Sequence, residues 1–141
     1  MRDLHNHVAV RQTLAPATAT ASMTGAAADR RGFESVEHIV ARAQSGDELS
    51  PAVSIALRLE HSHDDAAFEA VTDADVLGAT VDANGVFATV DDAGADETVH
   101  RLGYVGGRRY SRVVAAFTGT HTNGTPLVAL ALLGHAHVKP V

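Results

Sequence analysis

The sequence predicts an all-β protein: a single-domain β-sandwich or jelly-roll-like barrel with an extended N-terminal arm. Several short runs alternate apolar and polar residues with a period of two, Gly, Asp and Asn residues separate these runs, and no long helical pattern occurs. The clearest alternation is Ser54–His61, in which Ile55, Leu57 and Leu59 share one face. A chain of 141 residues is the usual size of one domain and can bury its own core.

We expect three segments along the chain. Residues 1–28 form an extended arm or first strand, because Pro16 and many Thr residues disfavour a helix there. Residues 29–134 form the β domain, and residues 135–141 form a C-terminal tail. Within the β domain, a capped helical turn is expected at residues 72–78, and the strands are expected at residues 33–42, 54–61, 68–71, 86–90, 99–105, 110–117 and 127–133.

Two of these strand predictions carry further expectations. The stretch Glu97–Phe117 is predicted to be a hairpin, since Gly106 and Gly107 separate two alternating runs and suit a tight turn. The stretch Leu127–Leu133 is continuously apolar, which is typical of a central strand buried on both faces.

Composition excludes several classes of function. The formal net charge of −6 opposes nonspecific nucleic-acid binding, which needs a basic surface. The chain has no Cys, so neither disulfides nor thiolate chemistry are expected. We find no secretory signal pattern, and the longest apolar run is too short to cross a bilayer. The protein is therefore expected to be made in the cytosol, without a membrane or nucleic-acid partner.

The chain contains three His-x-His pairs, at residues 5/7, 61/63 and 135/137. On a strand, positions i and i+2 point the same way, so each pair is able to offer two imidazoles to a metal. The sharpest candidate is the set His61, His63 and Asp64, because it adds a carboxylate. A polar turn explains the same residues more simply, so no metal is predicted and this set remains a weak alternative.

No catalytic residues or cofactors are predicted. The chain lacks the Gly-x-Ser-x-Gly turn of serine hydrolases. The glycines at 103, 106 and 107 are not followed by a helix that would bind phosphate. We therefore do not expect an enzyme.

Two groups of residues are candidates for partner binding. Arg108, Arg109 and Arg112 lie at or just after the predicted turn, and Arg is enriched at interfaces. Alternatively, the arginines are a solvated tip in which Arg112 pairs with an acidic neighbour. The acidic segment 82–97 is their expected counterpart, within or between subunits. The second group lies in the arm and comprises Leu14, Pro16, Thr18 and Thr20.

Several short phrases resemble a known family when they are taken in order. They are MRDLH at 1–5, LAP at 14–16, RGFESVE at 31–37, LEHSHD at 59–64, GYVGGRRYSR at 103–112, PLVALALLGH at 126–135 and PV at 140–141. Together they are similar to small proteins encoded in the structural-gene clusters of tailed bacteriophages and prophages. The resemblance spans nearly the whole chain, and none of its motifs is catalytic.

The resemblance implies a virion component without enzymatic activity. The role that it implies is a capsid decoration, or cement, protein: a β-sandwich on the outer capsid surface that binds the major capsid protein as a homo-oligomer, with a trimer favoured. Another virion part, such as a head fibre base, tail-tube or tail-terminator protein, is the first alternative. A small His/Asp metal-dependent enzyme is less favoured, and the lack of Trp weakens a carbohydrate-binding module.

Overall fold

The computed structural model describes residues 3–92 and 98–141. Glu97, with which the predicted hairpin begins, and part of the acidic segment 82–97 lie outside the described residues. Eleven strands are present in the described residues, together with two short 3₁₀ turns at His5–His7 and Asp73–Asp75. The strands are β1 (Val8–Ala19), β2 (Met23–Thr24), β3 (Ala28–Asp29), β4 (Phe33–Arg42), β5 (Ser54–Ser62), β6 (Glu69–Ala70), β7 (Val76–Leu77), β8 (Val86–Val90), β9 (Thr98–Tyr104), β10 (Tyr110–Thr118) and β11 (Thr125–Ala136).

The strands form two antiparallel sheets that pack face to face. The first sheet has the order β1-β11-β4-β9-β7, and the second has the order β2-β10-β5-β6, with β3 beside β10 and β8 beside β5. The prediction of an all-β sandwich is confirmed. The barrel alternative is wrong for the described residues, because their two sheets stay open and do not join into a closed barrel.

The core lies between the two sheets and consists mainly of aliphatic side chains. Alternation explains it, because every second residue of a strand faces the opposite sheet. In β4, Val36, His38 and Val40 point inward and are at most 3% exposed. The predicted strands at 33–42 and 86–90 have the observed bounds, and the strand at 54–61 extends by one residue to Ser62. The capped turn after Thr72 is also present, with Asp75 closing the capping box.

The N-terminal segment is part of the sandwich over β1. This strand pairs antiparallel with β11 from Val8 to Ala19, and its register shifts twice around Leu14. Leu14 and Ala19 enter the core with 3% and 7% exposure. Residues 8–19 therefore pack as an edge strand of the domain, and they do not leave it as a free arm. At the other end, β11 continues to Ala136, and the backbone N–H of His137 donates to the carbonyl of Gly32 at 2.9 Å.

The predicted hairpin over Glu97–Phe117 is wrong. Strand β9 pairs with β4 and β7 in the first sheet, whereas β10 pairs with β2, β3 and β5 in the second sheet. The glycine-containing link, residues 105–109, therefore crosses from one sheet to the other. Alternation predicted both strands correctly, but it carries no information about which strands are neighbours.

For β11, the predicted central position is confirmed and the predicted burial of both faces is wrong. The strand is central, between β1 and β4, but only one of its faces is buried. Leu127, Ala129 and Leu133 are at most 4% exposed, whereas Leu130 and its outward neighbours are half-buried. A face that is apolar but not covered is the first indication of an interaction surface.

Candidate interaction surface

The link between β9 and β10 is a packed corner. Tyr104 is buried there, and its ring lies so close to Gly106 that a Cβ at that glycine would come within 2.7 Å of it. The backbone N–H of Arg108 donates to the Tyr104 hydroxyl at 3.1 Å, and the N–H groups of Val105 and Gly106 donate to the carbonyl of Asp75. Glycine is thus required at 106 by close approach of an aromatic ring, and not by a hairpin turn.

The three predicted arginines are paired with carboxylates of the same chain. Arg108 bonds Glu69, and Arg109 donates through Nε to Asp29 Oδ1 at 2.8 Å. Arg112 bonds Glu60 through both Nε (2.9 Å) and Nη2 (2.8 Å). All three side chains are partly buried, so the corner is not a freely solvated tip. Their counterparts are Asp29, Glu60 and Glu69, none of which belongs to the predicted acidic segment 82–97.

The guanidinium of Arg112 contacts an aromatic ring as well as a carboxylate. It lies 3.6 Å from the centroid of the Phe68 ring, which is the distance of a cation–π contact. Its partner Glu60 also pairs with Arg58 at 3.1 Å. Two of the five N–H donors of Arg112 bond Glu60, and the Phe68 ring covers one face of its guanidinium, so an external acidic partner would compete with contacts already made. Partner binding by these arginines remains a prediction, and the structure shows what it would have to displace.

The Arg109–Asp29 pair joins the end of the link between β9 and β10 to β3 in the second sheet. The hydrogen bond from Arg109 lowers the pKa of Asp29 to about 2. We expect Arg109→Glu to destabilise the monomer, because it places two carboxylates side by side. Since both groups are more than one-third exposed and solvent screens their interaction, we expect only a modest loss in the free energy of unfolding, measured by urea denaturation.

The matched control for this prediction is the charge swap Asp29→Arg with Arg109→Glu, which restores opposite charges at the same place. The swap should recover most of the loss. Equal stability of Arg109→Glu and the wild-type protein would show that the pair contributes nothing to folding.

The weak metal candidates are not brought together. His61 is buried, and its Nδ1 lies 3.0 Å from the Tyr104 hydroxyl across the core. His63 lies beyond the end of β5 and is exposed. Asp64 caps a turn, accepting bonds from the Ser62 hydroxyl and from the backbone N–H groups of residues 66 and 67, which lower its pKa to about 2. In the described part of the chain, no group of three or more His, Cys, Asp or Glu side chains is arranged to hold a metal ion.

Within the N-terminal group, only some residues are accessible. Pro16, Thr18 and Thr20 are exposed along or just after the outer edge of β1. Leu14 was predicted to contact a partner, but it is a core residue, because the register shift in β1 turns it inward. The binding role of the other three residues remains a prediction.

The surface that sequence reasoning missed is the outer face of the first sheet. We define the outer face by the side chains of β1, β11, β4, β9 and β7 that point away from the core. Directly paired residues of an antiparallel sheet share a face, so the strand register places these side chains next to one another. They are Val10, Gln12, Glu37, Ile39, Ala41, Leu77, Val99, Arg101, Val128, Leu130 and Leu132.

Most of the outer face is apolar. Val10, Leu77 and Val99 are 54%, 60% and 65% exposed. Between them lie the half-buried aliphatic side chains of β4 and β11, including Ile39 and Leu130. The two charged residues of the face, Glu37 and Arg101, pair with each other at 3.6 Å. A contiguous apolar patch on a sheet that should face water marks a site of association.

The outer face of the second sheet provides the contrast. Its central strands present Arg58, Glu60 and Arg112, and Thr89 of β8 is exposed beside them. Ala56, Val114 and Ala116 lie on the same face, so it mixes charged and apolar residues. The two sheets differ in their exposed large hydrophobic side chains: among the described strand residues these are Val10, Leu77 and Val99, which all belong to the first sheet.

A concave region lies at one end of the outer face. It has a volume of about 530 Å³ and is lined by Pro16, Ala41, Val99 and Val128 together with neighbouring residues. The register shift between Leu14 and Ala17 interrupts the pairing of β1 with β11 there. The sequence signal for this face is the set of outward apolar residues in β11, which are Val128, Leu130 and Leu132. This set is hard to recognise in the sequence because the inward residues between them are apolar too.

The fold is an all-β sandwich, and the outer face of its first sheet is largely apolar. No protein-family model and no curated protein matches the chain. A solved structure, that of SPBc2 prophage-derived protein YomS, aligns with a TM-score of 0.49 and 9% identity, covering 89% of this chain and 91% of that chain. A likeness at this level carries no conclusion about family or function. In the described residues, no helix is long and apolar enough to cross a membrane.

Proposed function

We propose that this protein is a non-enzymatic virion component of a tailed phage or prophage, which binds and stabilises the outer surface of the capsid shell as a decoration protein. The observation that supports association over catalysis is the outer face of the first sheet, where the large apolar side chains Val10, Leu77 and Val99 are more than half exposed. The phage context comes from the ordered sequence phrases that resemble virion proteins. The major capsid protein is the proposed partner, and the protein acts as a homo-oligomer.

Shell binding suits the physical properties of the domain. A protein that stabilises a capsid shell needs a stable folded domain and a surface whose burial lowers the free energy. The apolar residues of the outer face provide that surface, and the paired arginine corner and the two-sheet core provide the folded domain. The exposed residues Pro16 and Thr18 lie on the edge strand beside this face and widen the area available for contact.

The direct test is binding of purified protein to capsid shells that lack it, measured by co-sedimentation. We expect saturable binding, and we expect bound shells to resist heat better than bare shells. Val99→Arg should reduce occupancy, because it places a charge in the apolar face, whereas Thr89→Arg on the opposite sheet should not. Absence of binding by the wild-type protein would contradict the proposal. Rings or stacked tubes of isolated protein in electron micrographs would instead support a tail role.

A further inference from the structure

We propose that the outer face of the first sheet is covered by a second copy of this chain, in a two-fold symmetric dimer. The proposed function assigns this face to the shell, and this inference names what covers it in the free protein, before a shell is bound. It rests on the proposed function only in that both use the same face. The inference is argued from charge, from the shape of the face and from its area.

Charge favours a second copy at this face. The chain carries a formal net charge of −6, so two copies repel each other over most of their surfaces. On the outer face, the charges of Glu37 and Arg101 compensate each other, and the residues around them are apolar. Because each Glu37–Arg101 pair is neutral as a whole, two copies repel each other less through this face than through the rest of their surfaces.

Shape favours two-fold symmetry. In a two-fold interface the same patch serves both partners, so a protruding region must face a recess of the same molecule. Val10, Leu132 and Leu77 lie in one cross-strand row, on one side of the row that contains Leu130 and Ile39. The recess of about 530 Å³ lies on the other side of that central row. The row of Val10 also contains Glu37 and Gly103, and a two-fold axis along the central row places it in each copy over the recess of the other.

Area predicts the strength of the dimer. Four strands about 4.8 Å apart, with about nine residues each at about 3.4 Å per residue, give a face on the order of 600 Å². Two such faces bury on the order of 1,200 Å² together, which is the lower end of specific interfaces. We therefore expect a reversible dimer with a dissociation constant in the micromolar range. A two-fold face of this kind pairs copies two at a time, whereas the resemblance alone implies a trimer.

The test is sedimentation equilibrium of the full-length protein, without shells, over a concentration range from micromolar to millimolar. We expect a monomer–dimer equilibrium. Val99→Arg and Val10→Arg should each weaken dimerisation by roughly tenfold or more, because each buries a charge at the interface. Both sites are more than half exposed in the monomer, so both variants should fold. Thr89→Arg is the matched control on the other sheet and should dimerise normally.

The possible outcomes separate this inference from the proposed function. A protein that stays monomeric to millimolar concentration, or that forms trimers, would overturn the dimer. If that monomer still binds shells and Val99→Arg abolishes the binding, the outer face contacts the shell, and the proposed function stands without self-association. Dimers that the two face variants disrupt, combined with no shell binding, would support the inference while the proposed function fails.

Discussion

Leu57→Asp is expected to prevent folding, whereas Leu130→Asp is expected to leave a folded domain. Leu57 lies in β5 with 1% exposure, opposite Ala115 of β10 and Ala88 of β8. A carboxylate there has no partner and removes apolar contacts from the core. The cost should exceed about 4 kcal/mol, a large part of the about 5–15 kcal/mol that stabilises a domain.

Leu130 is the informative comparison with Leu57, because the continuous apolar run around Leu130 predicts at least as much burial from sequence alone. Its side chain lies on the half-covered outer face, where a carboxylate keeps much of its hydration. We expect Leu130→Asp to retain the circular dichroism spectrum and a cooperative thermal transition, with weakened self-association. Loss of folding in both variants would show that both faces of β11 are buried, as the continuous apolar run predicts.

Removal of a buried imidazole is expected to make the fold more resistant to acid. His38 of β4 is 1% exposed, and its Nε2 lies 2.8 Å from the Ser111 hydroxyl of β10, so this contact bridges the two sheets through the core. Among the described residues, its Nδ1 has no hydrogen-bond partner. Burial lowers the pKa of His38 from 6.5 to about 4, since the charged ring would lose its hydration.

The sign of the effect follows from proton binding. Between pH 6.5 and about 4, the unfolded chain binds a proton at His38 that the folded chain does not bind. Stability is therefore fully present above pH 6.5 and falls as the pH decreases toward 4. The loss from this one group is about 3 kcal/mol, taken from the difference between the two pKa values. Burial also lowers the pKa of His61, which adds a loss of the same sign.

The test compares wild-type protein with the double variant His38→Leu and Ser111→Ala, which removes both partners of the buried bond. Near pH 7 the two proteins should have similar stability, because replacing both partners by apolar groups leaves no orphaned polar atom. Near pH 4.5 the double variant should be more stable, as measured by urea denaturation across the pH range. The same pH dependence in both proteins would contradict a role for His38.

Ser111→Ala alone is the matched control for this experiment. It keeps the buried imidazole, so its stability should fall with decreasing pH much as in the wild-type protein. A resistance to acid that appears already in this single variant would point to the hydroxyl group instead of the imidazole.

Much of the fold was predictable because strand identity is a local property. Alternation alone located β4 and β8 with their observed bounds, and it identified the inward positions of β5. The capped turn at Thr72 was predictable for the same reason, since the capping residues lie within four positions of one another. Because the sequence shows no long helical pattern, a second sheet is the only layer that can cover the apolar face of the first, which predicts a sandwich.

The candidate site was much less predictable. The arginines were noticed because they are adjacent in sequence, but their partners Asp29, Glu60 and Glu69 are distant along the chain. His61 and His63 were grouped by spacing, yet the strand ends between them and turns one ring into the core. In each case the deciding contact is made across strands whose pairing the local pattern does not encode.

The sequence by itself determined that this protein is an all-β domain with an aliphatic core and an acidic surface, because those properties depend on composition and on period-two alternation. Only the tertiary structure decided that β9 and β10 belong to different sheets, and that the two sides of β11 differ in burial. The physical reason is that hydrophobicity is a property of each side chain, which the sequence shows directly. Burial depends on which strands and sheets pack against that side chain, and this is set by the sheet order. The outer face is the set that the fold leaves uncovered.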